Sequence, residues 1–287
     1  MISLNKINFF CIGAQKSGTS TLFQLLKQHP DVYIPANKEA HFFDRDFIYS
    51  NGIEWYLKKY YSNWQGQKMV GSVTPSYLYA DKVPGRIKSI FNKELKFIVI
   101  LRNPIDRAFS SYLMNVSNGN EKYNFELAIQ NEVERIKKSE QADILYSYIK
   151  RGYYFEQLNR YFKKFNSKNF LILTFEKDVI AQPQEMMKKV CEFLSIEEFQ
   201  FNYAIKKNEF KPPLNVLEKG IKKIHRLAAK TGLVEDTFGK RQALFIKKQE
   251  KPMLQKNRRE ELLHHYFIDD IEKLSLLLNM DFKEIWK

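Results

Sequence analysis

The residues best suited to chemistry lie in one stretch, Phe9-Phe10-Cys11-Ile12-Gly13-Ala14-Gln15-Lys16-Ser17-Gly18-Thr19-Ser20-Thr21-Leu22. Ile7, Phe9, Phe10, Cys11 and Ile12 are apolar without alternation, the pattern of a strand covered on both faces. Gly13 and Gly18 bracket a loop in which a left-handed residue or a close ligand approach is expected. Thr19, Ser20 and Thr21 then offer hydroxyls at a helix start, and Leu22, Leu25 and Leu26 begin its apolar face. Strand, glycine loop and helix start aim several N–H groups and the positive end of a helix dipole at one point, which makes an anion site. The spacing of Gly13 and Gly18 is that of the nucleoside triphosphate loop G-x-x-x-x-G-K-[ST], but Thr19 stands where that loop has its lysine. The cation is Lys16, inside the loop. Without the Lys-Ser/Thr pair there is no evident way to hold a magnesium triphosphate, so a shorter phosphate-linked group is expected.

The elements that must position this loop can be read from the rest of the chain. Met69–Val73, Leu95–Leu101 and Asn169–Phe175 are further apolar strands. Helical patterns cover Ser20–Gln28, Val83–Phe91, Phe125–Lys138, Ile144–Phe165 and Gln182–Leu194, and an amphipathic helical pair covers Asn257–Leu278, with Leu263, Phe267, Leu274 and Leu278 on one stripe. Asn103 is suited to cap a helix that opens at Pro104 and runs to about Val116. Buried strands alternating with helices predict an α/β protein, a three-layer P-loop-like fold with a central parallel sheet flanked by helices. Ligands in such sheets bind at the carboxyl ends of strands. The loop after Ile12 and the segment Arg102–Ser110 each follow a strand directly and are expected to meet on one edge.

The 287 residues, 44% hydrophobic and 15% aromatic, describe a globular chain and exclude a disordered one. Cys11 and Cys191 form neither a disulfide framework nor a metal set. No apolar run reaches the ~18 residues that would suggest a membrane span. The first core strand begins within a few residues of Met1, which leaves no room for a cleaved signal. A cytoplasmic protein is expected. The net charge is +14, and between Lys211 and Glu260 there are 14 Lys and Arg against 5 Asp and Glu. Such an excess suits an anionic partner or a polyphosphorylated cofactor, although a lysine-rich solvated surface accounts for most of it. No nucleic-acid motif accompanies it.

The loop Gly13–Ser20 resembles the 5′-phosphosulfate loop of the sulfotransferases, which use 3′-phosphoadenosine 5′-phosphosulfate (PAPS). Leu101-Arg102-Asn103-Pro104-Ile105-Asp106-Arg107-Ala108-Phe109-Ser110 resembles the 3′-phosphate motif of the same family, with Arg102 and Ser110 in the two phosphate-binding positions. The chemistry agrees: a guanidinium grips phosphate oxygens in a bidentate way, and a hydroxyl adds a donor. Lys38-Glu39-Ala40-His41-Phe42-Phe43-Asp44 is similar to a segment of the heparan-type and related bacterial sulfotransferases. In them a glutamate acts as general base on the acceptor, and Glu39 falls on that position. In an extended segment His41 would point the same way as Glu39; it supports the base, contacts the acceptor or packs under Phe42 and Phe43, with support or packing favoured over a direct role as base.

The resemblance implies a PAPS-dependent sulfotransferase with Glu39, Lys16 and His41 in the catalytic group. Gln15, Lys16, Ser17, Gly18, Thr19, Ser20, Arg102 and Ser110 would bind the cofactor, and no metal is implied. It treats residues 1–287 as a single domain, with 200–256 a basic, loop-rich cover over cofactor and acceptor and 257–287 the C-terminal helices. Lys247, Lys248 and Lys251 sit where the family closes a loop on the 3′-phosphate, and Arg151-Gly152-Tyr153-Tyr154 resembles a segment near the adenosine and acceptor sites. The acceptor is expected to be a carbohydrate or small-metabolite hydroxyl or amine, without nucleic acid, its pocket drawn from Tyr49–Tyr61, Tyr112–Tyr123 and Lys206–Phe245. One departure stands out: heparan-type members carry a lysine just before the Thr-Pro that follows the second strand, and Val73 replaces it here. The competing readings are a P-loop nucleotide kinase, which magnesium dependence would reveal, and a basic polyanion- or nucleic-acid-binding protein.

Overall fold

A computed structural model of the protein describes residues 2–205 and 252–287. The chain divides into two compact units, one formed by Met1–Ala108, Ile149–Lys207 and Arg259–Lys287, the other by Phe109–Tyr148 and Asn208–Arg258. The first unit is built on a five-stranded parallel sheet of β1 (Ile7–Gly13), β2 (Val32–Tyr33), β3 (Met69–Val73), β4 (Lys96–Leu101) and β5 (Phe170–Thr174), in the order β2-β3-β1-β4-β5. β1 is central, with β3 and β4 its direct neighbours, as the α/β reading expects. Parallel strands lie about 4.8 Å apart. The carboxyl ends of β1, β3 and β4 therefore open side by side.

The apolar runs form strands because both faces of the sheet are covered. On one face Phe9 and Cys11 pack with Leu22 and Leu25 of α1 (Thr19–Leu26) and with Met186 and Val190 further along the chain. On the other, the ring of Phe10 meets Phe43, Phe91 and Phe97 with centroids 5.8, 5.7 and 6.2 Å apart. Cys11 and Cys191 are both free and buried, and burial pushes the Cys11 thiol up to about 12. α2 (Asp46–Tyr49), α3 (Gly52–Tyr61) and α4 (Val83–Ile90) follow, and α5 (Pro104–Ser117) starts where the Asn-Pro pair predicts. The Asn103 Oδ1 accepts the Ile105 and Asp106 amides at 3.0 and 3.2 Å.

Three sequence expectations need correction. Phe125–Lys138 is not one helix but two, α6 (Phe125–Gln130) and α7 (Glu132–Ile136). Ile144–Phe165 is likewise broken into α8 (Glu140–Tyr146) and α9 (Tyr154–Phe162). The Ser147 hydroxyl donates to the Asp143 carbonyl and carboxylate at the end of α8, ending it locally. Beyond α10 (Pro183–Leu194), the C-terminal helical pair is one long helix, α11 (Lys256–Leu278), followed by the short α12 (Phe282–Ile285). Its buried residues are Leu262, Phe267, Asp270, Ile271 and Leu274, so Leu262 and not Leu263 carries the stripe. The second unit contains a buried carboxylate, Glu121, gripped by Arg135 at 2.8 and 3.1 Å and by the Tyr148 hydroxyl at 2.8 Å. Among the described residues no helix is long and apolar enough to cross a membrane.

Candidate functional site

Gly13 ends β1, and the loop is tied to the neighbouring strand by the Ala14 amide, which donates to Ile100 O at 2.8 Å. Lys16 and Gly18 both take left-handed backbone, with φ of 67° and 87°. Left-handed residues set close together turn successive amides toward one side and favour an anion. Gly18 caps α1 with no side-chain acceptor; the Thr21 amide turns back to Gly18 O at 2.9 Å, and the Thr19 and Ser20 amides have no acceptor within the helix. Neither glycine has room for a side chain. A Cβ on Gly13 would stand 2.6 Å from Leu78 Cβ, and one on Gly18 would stand 2.9 Å from Val179 Cγ1 and 3.0 Å from Phe175 Cδ2. Ser17 is fully buried and its Oγ has no hydrogen-bond partner among the described residues, nor has the buried Oε1 of Gln15. Buried polar atoms of this kind are costly unless something satisfies them. Uncapped amides and an orphaned hydroxyl fit the phosphosulfate end of PAPS.

Arg102 follows β4 directly and is brought to this loop. One guanidinium nitrogen donates to Lys16 O at 3.0 Å, and the guanidinium lies over the Phe175 ring at 4.5 Å. Its Nε is buried and makes no hydrogen bond among the described residues. The backbone around it is held from several sides. Tyr154 OH donates to Arg102 O at 3.0 Å, the Asn103 amide donates to Glu176 Oε1 at 2.9 Å, and Asn103 Nδ2 donates to Trp286 O at 3.1 Å. Burial pushes the Glu176 carboxyl above its ordinary range. Ser110 lies two turns along α5, half-buried. Gly152 allows a close approach: a Cβ there would stand 2.6 Å from the Phe267 ring and 3.0 Å from Pro104 Cβ. Lys247, Lys248, Lys251 and the span 206–245 lie outside the described residues.

The segment after β2 supplies the third part. Lys38 Nζ donates to Thr19 Oγ1, Ser20 Oγ and Glu39 Oε1, each at 3.1 Å. Glu39 Oε2 pairs with His41 Nε2 at 3.4 Å, and His41 Nδ1 donates to Asp44 Oδ2 at 2.9 Å. Ser76 Oγ, just beyond the end of β3, donates to the same oxygen at 2.6 Å. Two consecutive amides, Phe42 and Phe43, donate to Tyr77 OH at 3.2 and 3.3 Å. A continuous polar line thus runs from the start of α1 through Lys38, Glu39, His41 and Asp44 to Ser76.

Glu39 and His41 do meet, but not through extended backbone. His41 has a φ of 50°, and that left-handed turn swings its ring back toward Glu39. The His41 ring contacts Glu39 through Nε2 and Asp44 through Nδ1. Burial works against charge on Glu39, yet the hydrogen bond from His41 and the Lys38 ammonium outweigh it and hold the carboxyl down at about 2. Burial also works against charge on His41, but hydrogen bonds to Asp44 and Glu39 hold it up at about 9. Asp44 is held below the usual carboxylate range, its burial outweighed by the His41 hydrogen bond. Lys38, Asp44, Ser76 and Tyr77 carry no role in the sequence motifs. The three-residue spacing of His41 and Asp44 was the available signal, since one turn brings such a pair together. Val73, in the position of the missing lysine, is fully buried in the core.

Residues 6–215 match the family model described as a sulfotransferase domain. The chain is 33% identical over 191 residues to heparan sulfate glucosamine 3-O-sulfotransferase 5 of Mus musculus, covering 64% of this chain and 52% of that protein. It is 32% identical over 187 residues to heparan sulfate glucosamine 3-O-sulfotransferase 3B1 of Homo sapiens, covering 65% and 45%. The chain therefore spans about half the length of these curated relatives. Among solved structures, a sulfotransferase from Alicyclobacillus acidocaldarius superposes with a TM-score of 0.72 at 26% identity, covering 97% of this chain and 98% of that one. A mouse sulfotransferase complexed with PAP shares the fold, with a TM-score of 0.50 at 16% identity over 93% and 84% of the two chains. Glycine loop, parallel sheet and matched length together mean that this chain belongs to the sulfotransferase family.

Proposed function

We propose that the protein transfers the sulfuryl group of PAPS to a hydroxyl or amine of a carbohydrate or small metabolite, with Glu39 as general base. The observation that carries this reading is the polar line from the anion loop to a carboxylate: a single lysine joins Thr19 and Ser20 to Glu39. That link at the carboxyl edge of the sheet, where this fold binds ligands, supports reading the two ends as donor and acceptor chemistry.

Bound PAPS supplies sulfur on an activated phosphate: the acceptor oxygen or nitrogen bonds to sulfur as the sulfur–oxygen bond to the 5′-phosphate breaks, its electron pair leaving on that phosphate. Gln15, Lys16, Ser17 and Gly18, with Thr19 and Ser20, hold the 5′ end, and the Lys16 ammonium and the loop amides offset the charge that gathers there. Arg102 holds the 3′-phosphate through its guanidinium. Glu39, ionised throughout the neutral range, accepts the acceptor's proton at a carboxylate oxygen. His41, itself charged and fixed by Asp44, holds the Glu39 carboxylate in orientation. The similarity to heparan sulfate 3-O-sulfotransferases supports a glycan hydroxyl as the acceptor.

The test is transfer of label from PAPS to a panel of glycans and small hydroxyl and amine acceptors, without added metal. Glu39→Gln is expected to lose transfer by ~100-fold or more while binding 3′,5′-adenosine bisphosphate at least as tightly as the parent. Unchanged turnover in Glu39→Gln would remove Glu39 as the base.

A further inference from the structure

The position of Lys38 is electrostatically odd. Its ammonium sits against the first two hydroxyls of α1, at the helix end where the dipole is positive and a cation is unfavourable. The same corner holds a second lysine, Lys16, within the loop. Among the described residues the anion in contact with the Lys38 ammonium is Glu39, and Glu39 is shared with His41. The Lys38 side chain is only 19% exposed, so solvent cannot account for its placement. Two residues before Thr19, Ser17 is wholly buried, and its hydroxyl oxygen has no partner among the described residues. The end of β3 supplies no cation, because Val73 is packed in the core. A cation, a helix start and an orphaned hydroxyl gathered in one place call for an anion.

We propose that Lys38 is a donor-binding residue, its ammonium bridging the anionic 5′ end of the donor and the Glu39 carboxylate. This rests on the PAPS reading above. An ammonium has three N–H donors. One stays on Glu39, and the other two turn from the neutral hydroxyls of Thr19 and Ser20 to an anionic oxygen, a stronger charge-assisted acceptor. The same lysine then fixes the distance between base and donor. It also makes the two compete: charge on Glu39 draws the ammonium away from the donor.

The experiment is calorimetric titration of the full chain with 3′,5′-adenosine bisphosphate and with adenosine 3′-monophosphate, which lacks the 5′ anion. Lys38→Met is expected to bind the bisphosphate at least tenfold more weakly than the parent and the 3′-monophosphate within twofold. Lys38→Arg, which keeps the charge, is expected to stay within about threefold for both. Glu39→Gln is expected to bind the bisphosphate several-fold more tightly, and that gain is expected to vanish in the Lys38→Met/Glu39→Gln double variant. The proposal is overturned if Lys38→Met binds the bisphosphate like the parent, if it loses both nucleotides equally, if Lys38→Arg fails as badly as Lys38→Met, or if the Glu39→Gln gain is absent or survives in the double variant. A parent that binds neither nucleotide removes the donor reading itself, and the role of Lys38 with it. A parent that binds both, with an indifferent Lys38→Met, leaves the donor reading standing and removes only Lys38.

Discussion

Asp44→Asn isolates the electrostatic centre of the site. The Asp44 side chain is 3% exposed, and its Oδ2 takes hydrogen bonds from His41 Nδ1 at 2.9 Å and Ser76 Oγ at 2.6 Å. An asparagine fits the same space and can still accept from Ser76, so its main effect is to remove a charge. Burial favours neutral His41, yet its carboxylate partners lift it from 6.5 to about 9. A rise of that size corresponds to roughly 3 kcal/mol at the upper limit. Because the folded value lies above the unfolded one, this stability is fully present below pH 6.5 and is lost as pH rises through about 9. Asp44→Asn leaves Glu39 as the remaining partner. His41 can also lose its proton, which caps the cost. The expected loss is about 2 kcal/mol at pH 6, shrinking to under half of that by pH 9. Urea unfolding of parent and variant at pH 6 and pH 9 measures the difference, in which background titrations cancel. The His41 ring signal in NMR is expected to titrate at lower pH in the variant. An equal stability loss at both pH values, with an unmoved His41 titration, would refute the reasoning.

Two further substitutions test the frame around the site. Gly18→Ala combines a φ of 87° with a Cβ 2.9 Å from Val179 Cγ1 and 3.0 Å from Phe175 Cδ2; a loss of about 1–3 kcal/mol and more than tenfold weaker bisphosphate binding are expected, and unchanged urea midpoints and affinity would count against the loop account. Asp270 is buried on α11 and accepts the Tyr154 and Phe155 amides at 2.9 and 3.3 Å; burial lifts its carboxyl to about 7, with the Glu156 charge adding and the Lys273 charge opposing. That contribution to stability is complete below pH 3.8 and is lost as pH rises through about 7. Asp270→Asn should therefore flatten the thermal midpoint between pH 5 and 8 and gain on the order of 1–2 kcal/mol at pH 8; a variant less stable than the parent at pH 8 contradicts this.

What could be read from the sequence was what local chemistry dictates. The apolar runs before Gly13 and Arg102 became adjacent parallel strands, so two motifs about ninety residues apart had to meet, and the Lys16 carbonyl now accepts from Arg102. Asn103-Pro104 marked a helix start because a side-chain acceptor and a fixed φ act within a few residues. The connections across the fold were not legible. Lys38 reaches the α1 hydroxyls only because β2 returns the chain beside them, and His41 meets Glu39 through a left-handed turn that no residue type announces. The break after α8 escaped detection because the apolar period continues through it, while the halt depends on Ser147 bonding back to Asp143. α11 read as a pair because its buried stripe is interrupted by a charged residue, Asp270, whose partners lie more than a hundred residues away.

The most direct measurement is calorimetric titration of the full chain with 3′,5′-adenosine bisphosphate, without metal, against 5′-AMP and Mg-ATP, with Arg102→Ala alongside. Metal-independent binding at least tenfold tighter for the bisphosphate than for 5′-AMP is expected, with that preference lost in Arg102→Ala. A bisphosphate bound no better than 5′-AMP, or tight binding that requires magnesium and a triphosphate, would contradict that expectation.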